Sequence, residues 1–244
     1  MSVWGKILGG AAGFALGGPI GALIGAVAGH AVDKMSDATG GTEASDATKQ
    51  IAFTIGVIVL GAKLAKADGQ VTRDEVDAFK QIFRIPPEET KNVGRVFNQA
   101  RKDARGYEPY AQQLARMFAD NPAVLEELLG GLFHIARADG KVSEDELDYL
   151  EQLAVIFGFD ARAWDRIRAA NLGAEHGDPF RILGVDRDAS DGDIRQAHRK
   201  LVLENHPDRL VAQGMPQEFV DMANEKLATI NAAYDDIKQL RGIK

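Results

Sequence analysis

Residues 194–208, IRQAHRKLVLENHPD, end in a tripeptide, His206-Pro207-Asp208, that separates two helical patterns. Apolar residues at three- and four-residue spacing predict one helix over Ile194–Asn205 and a longer amphipathic helix over Gln217–Leu240. Proline lacks a backbone N–H and disfavours helical geometry in the preceding residue, so the first helix should end at the tripeptide. The sequence therefore predicts a helical hairpin whose rigid connection presents an imidazole and a carboxylate outward, as a docking surface.

Facing apolar stripes predict that the two helices pack as an antiparallel pair. The first helix carries Ile194, Ala197 and Leu201 on its inner face. Ser190, with Asp193 three residues later, should cap that helix, and a short preceding helix should close one end of the pair with Phe180 and Leu183. The stripe of the second helix consists of Phe219, Met222, Ala223, Leu227, Ile230, Tyr234 and Ile237.

The outer face of the first helix carries Arg195, Arg199 and Lys200, which by themselves are typical of a solvated helix face. The tripeptide gives no sign of catalysis, because no serine or cysteine nucleophile motif accompanies it and the proline is expected to hold the imidazole and the carboxylate apart. No catalytic residue is predicted, and the chain is not expected to be an enzyme.

The segments around the tripeptide resemble the J domain of DnaJ-type co-chaperones. They are DPFRILGV at 178–185, the stretch 189–201, and INAAY at 230–234, in the order and spacing of that domain. Residues 210–216 and 233–242 are similar to the membrane-anchored DjlA group in particular. The chain departs from the pattern at His198, where an aromatic residue is usual, and at Phe180, where tyrosine is common.

The resemblance implies a partner and a mode of action. Arg195, Arg199 and Lys200 would approach an acidic surface of a DnaK-type chaperone, where such charges mainly raise the encounter rate and fix orientation. His206-Pro207-Asp208 would engage the junction between the nucleotide domain and its linker, and would stimulate ATP hydrolysis by the partner. The expected function is that of a membrane-anchored J-domain co-chaperone.

Composition excludes several other classes of protein. A formal net charge of −7 argues against nucleic-acid binding, which normally needs a basic surface. The chain has no cysteine, so it forms neither disulfides nor thiolate metal sites.

The amino-terminal segment has no charged residue from Ile7 to Val32 and is long enough to cross a bilayer. Glycines four residues apart share one face of a helix, and such a face lets a second helix approach closely in a membrane. The segment is therefore predicted to be a glycine-zipper membrane helix that contacts lipid and forms a homodimer. With the cytosolic partner that the J-domain resemblance implies, it would be a single span of the inner (cytoplasmic) membrane with the amino terminus outside. The glycines are Gly9, Gly13, Gly17, Gly21, Gly25 and Gly29.

Three other interpretations of this segment stay open. A flexible linker would show no fixed period and few large aliphatic residues. A secretory signal is suggested by Lys6, the apolar run and the cleavage-like Ala26-Val27-Ala28. A hairpin that breaks at Gly17-Gly18-Pro19 would enter the bilayer only partly or lie at its surface.

The middle of the chain contains a repeat. Residues 65–75, AKADGQVTRDE, return at 136–146 as ARADGKVSEDE, which indicates a duplicated helical unit. Thr72 with Glu75, and Ser143 with Glu146, form capping boxes, and the glycine of each Asp-Gly pair, Gly69 or Gly140, permits the backbone that ends the preceding helix.

The same repeat has a metal-binding interpretation. Each copy matches the second half of an EF-hand loop but lacks the first carboxylates, so a single loop would bind calcium poorly. Two copies brought together could share one divalent cation between Asp68, Glu75, Asp139 and Glu146. No other cofactor is predicted. The alternative function that follows is a metal- or ligand-sensing membrane adaptor in which the J domain is secondary.

The repeat resembles the TerB-like helical domain associated with tellurite resistance. Residues 51–62 are strongly apolar but too short to cross a membrane, and are predicted to form a core helix. The chain is thus predicted to be all-α. Its expected parts are a glycine-zipper membrane segment at 1–33, a linker at 34–47, a TerB-like helical bundle at 48–172 and a J-domain hairpin at 177–244.

Overall fold

The computed structural model describes residues 18–28, 46–67, 76–77, 79–80, 85, 90–100, 106–138, 140–172, 178–212 and 215–242. The regular elements among these residues are α-helices and none of them lies in a strand, which confirms the predicted all-α class. Residues 46–172 are called here the middle domain, and residues 178–242 the carboxy-terminal domain. The helices are α1 (Gly18–Ala28), α2 (Asp46–Leu64), α3 (Thr90–Ala100), α4 (Glu108–Met117), α5 (Pro122–Ala136), α6 (Glu144–Ile156), α7 (Ala161–Leu172), α8 (Pro179–Leu183), α9 (Asp191–Glu204), α10 (Pro207–Ala212) and α11 (Gln217–Arg241).

Helix α2 forms the centre of the middle domain. Every residue from 51 to 64 is buried, which confirms the prediction of a core helix over 51–62. Helices α3, α4 and α5 pack around it. Gly56 lets α4 approach closely, since a Cβ atom at that position would lie 2.6 Å from Leu114 Cδ1.

Helix α1, the described part of the glycine-rich segment, packs against α3 and α4 of the middle domain. It begins at Gly18, whose φ of +62° is incompatible with a continuous α-helix through that residue. Ile20 is fully buried, and its backbone N–H donates to Gln113 Oε1 at 3.0 Å. The hairpin alternative also depends on residues 1–17, which lie outside the described residues, so it stays a prediction.

Gly9, Gly13, Gly17 and Gly29 lie outside the described residues, so the full glycine ladder stays a prediction. Within the described part of the chain, no helix combines the length and the apolar character that a bilayer crossing requires.

The second copy of the repeat forms the predicted helix junction. Gly140 has a φ of +98°, and Ser143 is the N-cap of α6. The Ser143 side chain accepts from the Glu146 N–H at 3.2 Å, while the Ser143 N–H donates to Glu146 Oε2 at 2.8 Å. The predicted capping box is confirmed here. Thr72, Glu75 and Gly69 of the first copy lie outside the described residues.

In the carboxy-terminal domain, α9 and α11 form the predicted antiparallel pair. The beginning of α9 lies beside the end of α11, where Arg241 Nη1 is 3.4 Å from Asp191 Oδ1, and the middle of α9 lies beside Tyr234. Ser190 caps α9 by accepting from the Asp193 N–H. Helix α8 closes one end of the pair, as predicted, with the core residues Phe180, Ile182, Leu183, Ile194, Leu201, Ile230, Ala233 and Ile237.

The apolar stripe of α11 does not all face α9, and that part of the prediction is wrong. Its first third, Phe219 with Val220 and Ala223, belongs to the core of the middle domain. The physical reason is length: α9 has 14 residues and α11 has 25, so at about 1.5 Å per residue α9 reaches along only about half of α11. The remaining stripe is buried against the middle domain.

Candidate functional site

The tripeptide is the beginning of a helix rather than a bare connection. Pro207 is the first residue of α10, where its missing N–H costs nothing. His206 and Asp208 are exposed, with 49% and 89% of their side-chain surfaces accessible, as predicted. The expected separation of the two side chains is wrong, because His206 Nδ1 lies 3.5 Å from Asp208 Oδ2 and accepts from the Asp208 N–H at 3.2 Å. Pro207 itself is buried.

The backbone just before the tripeptide is anchored by Asn205. This residue is buried, and its Nδ2 donates to the Leu201 carbonyl at 2.9 Å. Its Oδ1 has no hydrogen-bond partner among the described residues. A buried oxygen without a hydrogen-bond partner destabilises the folded state. Here that oxygen belongs to the residue that ends α9, next to the exposed tripeptide.

Arg195, Arg199 and Lys200 form an exposed basic face on α9, the helix whose end leads into the tripeptide. Lys200 Nζ lies 3.9 Å from Glu204 Oε1, a long distance for an ion pair. These cations are accessible, as are His206 and Asp208 of the tripeptide.

His198 fills the place of the usual aromatic side chain on α9. Its ring stacks on Tyr234 with centroids 4.1 Å apart and an interplanar angle of 6°. Its Nε2 lies 2.8 Å from Asn231 Oδ1. The imidazole thus joins α9 to α11, and this departure from the family pattern preserves the packing. Phe180 is buried, and the guanidinium groups of Arg187 and Arg241 lie 5.5 and 5.2 Å from the centroid of its ring.

A buried ion cluster joins the two domains, and sequence reasoning missed it. Glu126 of α5 accepts two parallel bonds from Arg166 of α7, each 2.6 Å long. Lys226 of α11 lies 2.6 Å from Glu126 Oε1 and 2.8 Å from Glu127 Oε1. The signal in the sequence was a lysine within the apolar side of a long helix and a Glu-Glu pair within the apolar run of α5. Neither reveals its partner, because the contacts span 40 to 100 residues of chain.

The two glutamates differ in their ionisation. Burial would raise the pKa of Glu126, but Lys226 and Arg166 outweigh it and lower that pKa to about 2. Burial raises the pKa of Glu127, which Lys226 offsets only in part. The stronger and more numerous contacts of Glu126 make it the ionised centre of the cluster.

The proposed metal ligands are mostly outside the described residues. Asp68, Glu75 and Asp139 all lie outside the described residues. Glu146 is described, and its carboxylate takes part in the capping box of α6. Among the residues that the structure describes, no group of three or more His, Asp or Glu side chains is placed to hold a metal ion. The shared cation stays a prediction.

Comparison with known families supports each part of the chain separately. The family model of the co-chaperone DjlA transmembrane domain matches residues 1–50, that of the tellurite resistance protein TerB matches 54–169, and that of the DnaJ domain matches 178–240. No solved structure matches the chain.

Several relatives that match over the whole length share one name. The co-chaperone protein DjlA of Aliivibrio fischeri is 32% identical in an alignment that covers 100% of both chains. The DjlA protein of Photobacterium profundum is 28% identical over 99% of this chain and 100% of its own length. The DjlA protein of Coxiella burnetii is 27% identical over 98% of this chain and 98% of its own length. With family matches to these three parts in that order and full-length similarity to such relatives, the chain belongs to the DjlA family of J-domain co-chaperones.

Proposed function

We propose that this chain is a membrane-anchored co-chaperone that recruits a DnaK-type chaperone and stimulates its ATPase. The observation that carries the proposal is the accessible surface formed by the tripeptide and the basic face. Basic side chains on one helix attract an acidic partner and orient it. The tripeptide then offers a fixed shape at the end of that helix. The chemistry belongs to the partner, and this chain supplies binding free energy that differs between the partner's two states.

The ATPase test uses the full-length chain, because truncation at Thr48 would remove α1 and expose the residues that pack against Ile20. Steady-state ATP hydrolysis by a DnaK-type chaperone is measured with increasing amounts of the chain. We expect stimulation, and we expect His206→Gln to abolish it, since the substitution removes the imidazole that contacts Asp208.

The matched control is His134→Gln, an exposed histidine on α5 of the middle domain. This variant should stimulate as the wild-type chain does. Absence of stimulation by the wild-type chain, or full stimulation by His206→Gln, would refute the proposal.

The proposed anchor is the uncharged amino-terminal segment, which coincides with the match to the DjlA transmembrane domain. We propose that it binds the inner membrane in a state in which α1 has left its contacts with α3 and α4, that it leaves the two folded domains in the cytoplasm, and that it pairs with a second copy through its glycines. Replacing Gly17 and Gly21 by leucine would fill the glycine face and should lower self-association in a membrane reporter assay. Ala22→Leu, on an exposed position of α1, is the control. Unchanged association in the glycine variant would contradict pairing through this face.

A further inference from the structure

We propose that the middle domain is the positioning element of the carboxy-terminal domain, and that Lys226 and Phe219 are the positioning residues through which it fixes the tripeptide for binding. This inference rests on the proposed function and adds a role for the middle domain in it.

The first contact is an apolar seat for the beginning of α11. The fully buried ring of Phe219 packs edge-on against Phe53 of α2, with centroids 4.7 Å apart and an interplanar angle of 83°. Gly131 of α5 makes room for it, because a Cβ atom there would lie 3.3 Å from Phe219 Cε1. Met222 lies over the neighbouring Gly130. A residue of the carboxy-terminal domain thus completes the core of the middle domain.

The second contact is the buried ion cluster. The Lys226 and Glu126 side chains are 11% and 8% exposed, so water screens their attraction little. Undocking would remove Lys226 from Glu126 and Glu127, which would then either stay buried without that cation or become hydrated. The cluster also requires specific geometry, since Lys226 must reach both carboxylates at once. It therefore fixes the rotation and the position of α11 along α5.

A third, exposed seam accompanies these contacts. Arg162 of α7 donates to the Gly184 carbonyl at 2.9 Å, and Arg181 of α8 pairs with Asp165 at 3.0 Å. Exposed pairs contribute little to stability. They do show that the two domains also meet on a second side, at α7 and α8. Docking at two places restrains rotation about the connection between the domains.

Fixing α11 also fixes the residues after the tripeptide. Helix α10, which the tripeptide begins, packs on α11. Leu210 and Met215 are buried in the same apolar cluster as Phe219 and the middle-domain core, and not in the core between α9 and α11. If α11 left the middle domain, that cluster would open and α10 would lose part of its support.

The expected consequence is a change in affinity. The basic face and the tripeptide are accessible in the docked arrangement, so docking does not cover them. A loosened α10 must be ordered again when the partner binds. Ordering the backbone of even one residue costs enough free energy to lower the affinity for the partner by about tenfold. Once the partner is bound, α10 is ordered whether or not the domain was docked beforehand. Loss of docking should therefore raise the concentration needed for half-maximal stimulation and leave maximal stimulation unchanged.

The experiment compares full-length Lys226→Met with the wild-type chain. Methionine keeps the length and apolar character of the side chain but removes the charge. Two readouts are taken: the concentration dependence of ATPase stimulation, and hydrogen exchange at the amides of residues 208–212. We expect the half-maximal concentration to rise about tenfold or more with an unchanged maximum, together with faster exchange at 208–212. Lys226→Arg should restore both.

The matched control is Lys238→Met, which removes a charge from the same helix at a position that pairs with Asp235 of α11. Phe219→Leu is a second route to undocking and should shift both readouts in the same direction as Lys226→Met. Unchanged half-maximal concentration and exchange in both Lys226→Met and Phe219→Leu would overturn the inference while leaving the proposed function intact. A fall in maximal stimulation alone would overturn it as well. Failure of the wild-type chain to stimulate would instead overturn the proposed function.

Discussion

Replacing Glu126 by glutamine is expected to destabilise the protein by about 3–5 kcal/mol at neutral pH, because it leaves two buried cations with too few carboxylates. Arg166 would lose the charged partner of both its hydrogen bonds, and Lys226 would keep only Glu127. The adjacent Glu127→Gln should change stability by less than about 1 kcal/mol, since Lys226 would still pair with Glu126. Urea unfolding of both variants measures the difference.

The pH dependence of the two glutamates has opposite signs. The pKa of Glu126 falls from 4.5 to about 2 on folding, so its ionised form favours the folded state. That contribution is complete above about pH 4.5 and is lost as the pH falls toward 2. The pKa of Glu127 is raised, so its ionised form disfavours the folded state, and protonation at low pH removes this cost.

The stability gap between the wild-type chain and Glu126→Gln should therefore shrink as the pH falls from about 4.5 toward 2. Glu127→Gln is the control, because it changes a neighbouring carboxyl of the same helix without touching the Arg166 pair. Equal destabilisation by the two substitutions at neutral pH, or a gap for Glu126→Gln that is constant down to pH 2, would show that Glu126 is not the ionised centre of the cluster.

The helical fold was largely predictable because its local signals agree with one another. Ser190 and Ser143 were predicted as caps from sequence alone, since capping depends on residues three positions apart. The core helix over 51–62 was predictable from its unbroken apolar run. The end of α9 at the tripeptide was also predictable from local sequence, because a proline ends the preceding helix whatever the rest of the domain packs against. What the local sequence did not reveal is that Pro207 begins another helix and that His206 turns back to Asp208.

The arrangement of the domains was much less predictable. The stripe of α11 reads as one continuous apolar face from Phe219 to Ile237, and periodicity does not show which partner covers each part. The unequal lengths of the two helices of the hairpin were the usable clue. In the sequence, Lys226 is simply a polar residue within the stripe, and its partners on α5 lie about 100 residues away. Side chains that join two domains depend on both surfaces, which single-helix patterns do not describe.

The sharing of α11 between two cores leads to the second large effect. Phe219→Ala should destabilise the chain by about 3–5 kcal/mol, because it removes a fully buried ring and leaves a cavity against Phe53. The loss should spread across the domain boundary. Amides of α2 and α5, in the middle domain, are expected to exchange faster although the substitution lies in the carboxy-terminal domain.

The matched substitution is Ile237→Ala, further along the same helix. Ile237 is also fully buried, but it belongs to the core formed by α8, α9 and α11. Its loss should cost about 2–5 kcal/mol and should leave the exchange of α2 and α5 nearly unchanged. Segment-resolved hydrogen exchange on both variants separates the two halves of α11. If Phe219→Ala leaves α2 and α5 as protected as Ile237→Ala does, then the two domains are stabilised independently and α11 does not connect their cores.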